Sequence, residues 1–221
     1  MKMVYHSMQN HIMVNPGCIT SVVVENPDYY YEMLWNLARQ IKGEAGDWVI
    51  SEDDVPQSVN KKIELIKDMV DFEINKKALL TKIISSCEKT ALDEIHIDKT
   101  MQLLASIEQY MEMLRENYDI DLNYDKITIA QLLKTVGITI NMSSDKPLEI
   151  LYSYMKLVRE FVGEKIFVFV NLRSFVSAHD FSEFVRTITY HGYQVVFFEN
   201  KEYPRVQDEN RIIIDYDLCE I

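Results

Sequence analysis

Apolar residues along this chain follow two rhythms, and their alternation predicts the order of its elements. Cys18, Ile19, Val22, Val23 and Val24 form an apolar, largely β-branched run behind a Pro16–Gly17 turn, which predicts a buried strand over 17–25. Asn26, Pro27 and Asp28 then supply helix-starting chemistry, and Tyr29, Tyr30, Met33, Leu34, Leu37, Ala38 and Ile41 recur at helical spacing. Trp48, Val49 and Ile50 predict a short strand within an acidic, glycine-containing loop over 42–54.

Neither Gly nor Pro occurs between Gln57 and Glu116, and Ile63, Ile66, Val70, Ile74, Leu79 and Ile83 repeat near the helical period with charges between them. A break over Thr90–Asp93 and a second run through Met101, Leu104, Ile107, Met111 and Leu114 predict a long antiparallel helical hairpin with packed apolar stripes. Its methionines suit core filling better than ligand binding.

Beyond the acidic turn Asp119–Asp125, residues 127–136 predict a helix ending at Gly137, and Ile138, Thr139 and Ile140 a short strand. Pro147 opens another helix, and Lys165–Asn171 has the continuous apolar centre of a strand buried on both faces. A helix over Asp180–His191, a second buried strand over 195–198 and a terminal strand over 211–214 follow. Strand, helix, strand in this order predicts an α/β fold whose sheet is mostly parallel. The head is expected from residues 1–56 and 126–221, with residues 57–125 inserted as a long helical hairpin leg that ends in the acidic hinge.

The 221 residues, 48% of them hydrophobic, suffice for a substantial core. No run of eighteen apolar residues occurs and the first residues lack a secretory profile, which predicts a cytoplasmic protein with no membrane contact. Cys18, Cys87 and Cys219 are isolated, so neither a disulfide framework nor a zinc site is indicated. A formal net charge of −12 excludes a protein that coats nucleic acid with its whole surface, because phosphate is repelled by a diffuse negative field. A local basic groove is compatible with it if the 23 Lys and Arg are segregated from the 35 acids.

The sharpest local chemistry is Asp119-Ile-Asp121-Leu-Asn123-Tyr-Asp125, where oxygen-bearing side chains stand on every second residue. Calcium needs several hard oxygen ligands, and such alternation can turn three or four of them toward one ion. An EF-hand is excluded, since Tyr124 stands where its glycine belongs and Ala130 where its closing glutamate belongs. Two readings remain: a differently completed calcium site, or an acidic solvated turn capping the helix that begins near Ile127. The six glycines are scattered and form no phosphate cradle, and neither GxSxG nor HExxH occurs. Basic residues of the second half, Lys126, Lys134, Lys146, Lys156, Arg159, Lys165 and Arg173, gain weight only if an oligomer gathers equivalent positions about an axis.

The order of several elements resembles the accessory adaptation protein of type II-A CRISPR loci, the Csn-two family. These are the DLxYD turn (Asp121–Asp125), ITIxxLxKxxGI (Ile127–Ile138), an S-S-D element (Ser143–Asp145), LEI (Leu148–Ile150), KxxxFVN (Lys165–Asn171) and the end IDYDLCEI (Ile214–Ile221). The resemblance implies an α/β head remotely akin to P-loop ATPases but without a working nucleotide site, a helical leg, and a ring-shaped homotetramer. It further implies no catalysis, with calcium bound at acidic positions, and double-stranded DNA ends held in a basic central hole during spacer acquisition. The adaptation and guide-RNA nuclease proteins of the same operon are the implied partners. Carried onto this chain, Asp119, Asp121 and Asp125, with Asn123 where the family often has an acid, are the expected calcium ligands. Lys134 is the first expected DNA-facing residue, followed by Lys126 and Lys146. Two competing readings are a degenerate P-loop-like protein that still handles nucleotide, and an acidic scaffold that docks the adaptation nucleases.

Overall fold

The computed structural model describes residues 1–142 and 144–221; Ser143, the first residue of the S-S-D element, lies outside the described residues. In chain order the elements are β1 (Lys2–Tyr5), β2 (Ile12–Met13), β3 (Ile19–Val24), α1 (Pro27–Ile41), β4 (Trp48–Glu52), β5 (Val55–Gln57), α2 (Val59–Lys62), β6 (Ile63–Ile66), α3 (Lys77–Ala91), α4 (Ile97–Arg115), α5 (Ile129–Val136), α6 (Pro147–Phe161), β7 (Ile166–Val170), α7 (Ala178–Tyr190), β8 (Gln194–Glu199) and β9 (Glu209–Ile214). They form two compact units. One comprises Met1–Phe72, Ser144–Arg159 and Gly163–Ile221, the other Glu73–Ser143 and Glu160–Val162.

The first unit is built on a five-stranded sheet in the order β6-β7-β8-β3-β9, with every neighbouring pair parallel. The apolar runs follow from that position: β3 and β8 are buried at every residue, as strands covered on both faces must be. A second, antiparallel sheet, β2-β1-β4-β5, stands beside it. Trp48 joins the layers, its indole N–H donating to the Met33 carbonyl of α1 at 2.9 Å while its ring meets Phe198 edge-on at 5.7 Å. Phe197 lies between Phe169, stacked at 5.5 Å, and Phe181 of α7, edge-on at 5.0 Å.

Local chemistry sets the helix ends. The Asn26 carboxamide accepts from the amides of Asp28 and Tyr29 with Pro27 following it, so α1 starts where a capping residue satisfies its first free donors. Thr128 and Gln131 form a reciprocal capping box at the start of α5, and Gly137 ends it in the left-handed region at φ 73°.

Three expectations are corrected. Residues 63–66, read as the start of the long helical run, form edge strand β6 on β7. Their apolar positions at i and i+3 fit a helix, and the open edge of β7 decides for a strand. The inserted unit accordingly runs from 73 to 143, with 160–162, where the sequence pointed to 57–125. Residues 138–140 form no strand, because both backbone groups of Ile140 bond to the Asn75 side chain instead. The helical insertion itself is present as α3, α4 and α5, but its stripes are not packed as expected: α3 packs on α5, and only Thr100 of α4 is buried.

Candidate nucleic-acid interface and acidic turn

The acidic turn folds back on the last two turns of α4. Arg115 donates to Asp121 Oδ1 at 2.9 Å and to Glu112 at 3.4 Å. The Tyr124 phenol donates to Glu112 Oε1 at 2.7 Å, and that bond, with its negative charge, raises the phenol's pKa. Lys126 stands 4.0 Å from Glu108. Glu108, Glu112, Arg115, Asn123, Tyr124 and Lys126 line a groove of about 450 Å³.

This arrangement does not assemble the expected calcium ligands. Among the described residues no three Asp, Glu, His or Cys side chains are grouped to hold a metal ion. Asp121 already has a cationic partner in Arg115, and residues 119–125 form an irregular segment. Asp119, Asn123 and Asp125 are exposed, and Asp119 and Asp125 have no resolved hydrogen bond among the described residues. Calcium coordination by Asp119, Asp121, Asn123 and Asp125 therefore needs donors beyond this turn.

The basic residues divide into free and committed groups. Lys134 is exposed in the last turn of α5, where a cation suits the helix dipole, and no carboxylate of the described residues pairs with it. Lys126 is exposed beside Glu108, and Lys146 pairs with Glu149 at 3.1 Å one turn along α6. Lys126 and Lys134 belong to the inserted unit and Lys146 to the other. Lys146 lines a groove of the first unit, about 770 Å³, together with Leu148, Tyr152, Phe175 and Phe184. Three further basic residues are spoken for. Lys165 bonds to the Lys61 carbonyl, Arg159 donates to the carbonyls of His191 and Gly192, and Arg173 is buried with its guanidinium over Phe181 at 4.4 Å.

A buried charged cluster at the carboxyl edge of the parallel sheet gave no sequence signal. There Asn171 adopts a left-handed conformation, donates its amide to Phe198, and accepts from Asn200 through its side chain. The Arg173 amide donates to Glu199 Oε1, Arg211 holds Glu209 at 2.9 Å, and Glu199 Oε2 has no hydrogen-bond partner among the described residues. Ligands of parallel α/β sheets bind outside this edge. Here the amides opening α1 after β3 are occupied by Asn26, so no anion cradle stands there. No helix of the described residues is long and apolar enough to cross a membrane.

The profile of a family described as CRISPR-associated protein (Cas_Csn2) matches residues 40–218. CRISPR-associated protein Csn2 of Streptococcus agalactiae is 23% identical over 167 residues, covering 75% of this chain and 74% of the relative. The protein of the same name from Enterococcus faecalis is 24% identical over 165 residues, covering 73% and 74%. Among solved structures, Stu0660 of Streptococcus thermophilus has the same fold, with a TM-score of 0.59 at 14% identity over 90% of this chain and 68% of that one. Because the profile spans well over half of its length, the chain belongs to the Csn2 family of CRISPR-associated proteins.

Proposed function

We propose that this protein acts without catalysis, binding the ends of double-stranded DNA as a homotetrameric ring and so supporting spacer acquisition. The observation that carries the reading is Lys134: an exposed cation without an acidic partner among the described residues, in a chain of net charge −12, within the motif that marks the family resemblance. One lysine per copy is weak alone, since a single phosphate contact contributes a slope of only about −0.9 in log affinity against log salt. Four copies about one axis give about −3.6, so raising salt from 50 to 200 mM costs about 150-fold in affinity. Binding of this kind reads backbone charge and not base sequence. Calcium has its place in this reading as an ion held by Asp119, Asp121, Asn123 and Asp125 together with donors from beyond the turn, stabilising the ring.

The test is fluorescence anisotropy with a linear duplex and a closed circle of equal sequence, across a salt series. A ring that threads onto ends binds the linear form and not the circle, and Lys134→Glu weakens binding with the oligomer intact. Equal affinity for both topologies would favour the scaffold reading, in which the acidic surface docks basic adaptation nucleases.

A further inference from the structure

The first unit carries at its surface a cluster of rings with Lys156, to which the proposed function gives no role. Tyr152 and Lys156 stand one turn apart on α6. Tyr190 is the last residue of α7, and His191 caps that helix before Gly192, at φ 67°, turns the chain into β8. The His191 ring meets Tyr152 at 5.7 Å and Tyr190 at 5.1 Å, the latter edge-on, and Lys156 Nζ lies 6.0 Å from the centre of the Tyr152 ring. Tyr190 is 85% exposed. Among the described residues its hydroxyl makes no hydrogen bond and Lys156 has no ion pair, so nothing within the unit accounts for either group standing in water.

The turn beneath is rigid. Arg159 stacks over Tyr193 at 3.6 Å and donates to the His191 and Gly192 carbonyls at 2.9 and 3.2 Å, fixing the backbone that presents Tyr190 and His191. A large ring held in water on a fixed turn, in a cluster that also presents Lys156 over Tyr152, suits a ligand that offers a flat π face next to negative charge. Double-stranded DNA offers that combination only at its ends: inside the duplex both faces of every base are stacked, whereas the terminal pair has one face free beside the strand-end phosphates. Base–aromatic stacking is also indifferent to sequence, since every base has a π face.

We propose that Tyr190, backed by His191, Tyr152 and Lys156, is a platform that stacks on the terminal base pair of a DNA duplex. The proposal rests on the DNA-end reading above and names what distinguishes an end from the interior. The test is a cycle of wild type, Tyr190→Ala and Tyr190→Phe against two duplexes, one blunt and one whose terminal nucleotides are abasic, read by anisotropy over a salt series. Tyr190→Ala is expected to lose about 5- to 160-fold on the blunt duplex, the range of one stacked base, and little on the abasic one. Tyr190→Phe should retain affinity. The salt slope should be unchanged by Tyr190→Ala, since no phosphate contact is removed.

Equal losses on both duplexes, or none on either, overturn the platform while the DNA-end reading stands. Altered oligomer mass or altered binding of a protein partner, with DNA affinity unchanged, identifies the cluster as a protein interface and also overturns it. A wild type without affinity for any duplex sinks both readings.

Discussion

The backbone amide of Arg173 donates to Glu199 Oε1 at 3.2 Å, and the second oxygen of that buried carboxyl has no hydrogen-bond partner among the described residues. Burial pushes the Glu199 pKa up from 4.5 to about 7, against the opposing pull of the Arg173 amide and guanidinium. Between those two values the folded state keeps a proton that the unfolded state has released, so the stability that Glu199 contributes is fully present below pH 4.5 and is lost as pH rises toward 7. The loss amounts to about 3 kcal/mol at most. Urea unfolding from pH 5 to 8 should show this decline, and Glu199→Gln should flatten it. An unchanged slope in the variant would assign the pH dependence to another group.

Asn75 stands in for a partner strand. Its carboxamide accepts from the Ile140 amide at 2.7 Å and donates to the Ile140 carbonyl at 3.2 Å, completing both backbone bonds of a residue that no sheet receives. Asn75→Ala removes both and should cost about 1–3 kcal/mol, the range for leaving such groups unsatisfied. Hydrogen exchange at the Ile140 amide should accelerate by at least about tenfold. Retained protection there would show that another group carries the segment.

How much of this was legible depended on whether the deciding partner lay close in sequence. Runs such as Val195–Phe198 and Ile166–Val170 declare a buried strand by themselves, and Asn26-Pro27 declares a helix start, because the physics is local. Residues 63–66 carry helical spacing in the sequence, and only β7, a hundred residues on, makes them a strand. Ile138–Ile140 failed for the same reason, with Asn75 as the distant group. At the candidate site, the helix predicted over 127–136 is present as α5, with Lys134 exposed in its last turn. Arg173, grouped by sequence with the available cations, is buried, and Glu199 gave no signal because a glutamate after an apolar run looks like the solvated end of a strand.

The pairing of Arg115 with Asp121 bears directly on calcium. With that carboxylate engaged at 2.9 Å and no third acid gathered near it, the turn by itself should lack a tight calcium site. Titrating calcium into chelator-treated protein, at concentrations where copies do not associate, should give no site tighter than about millimolar, the weak end of known calcium loops. Arg115→Ala should change the thermal midpoint little, because exposed ion pairs contribute about 0–1 kcal/mol. A micromolar heat of binding abolished by Asp121→Asn would instead make the turn a self-sufficient site.

Helix α4 carries the last prediction. Thr100, Leu104, Ile107, Met111 and Leu114 are spaced alternately by four and three residues, the repeat of a coiled-coil seam, yet only Thr100 of the helix is buried. Apolar positions left half in water within a protomer gain if a second copy covers them, at about 1.5–3 kcal/mol for each side chain fully buried. Replacing Leu104 or Met111 by Glu should therefore leave the protomer folded, since neither is buried in it, but should weaken self-association by at least about 100-fold once both copies lose the contact. Sedimentation equilibrium over a concentration series measures this directly. If Met111→Glu keeps the wild-type mass at every concentration, the seam of α4 is not where copies meet. DNA binding lost together with assembly would tie duplex recognition to the oligomer, as repeated lysines about one axis require.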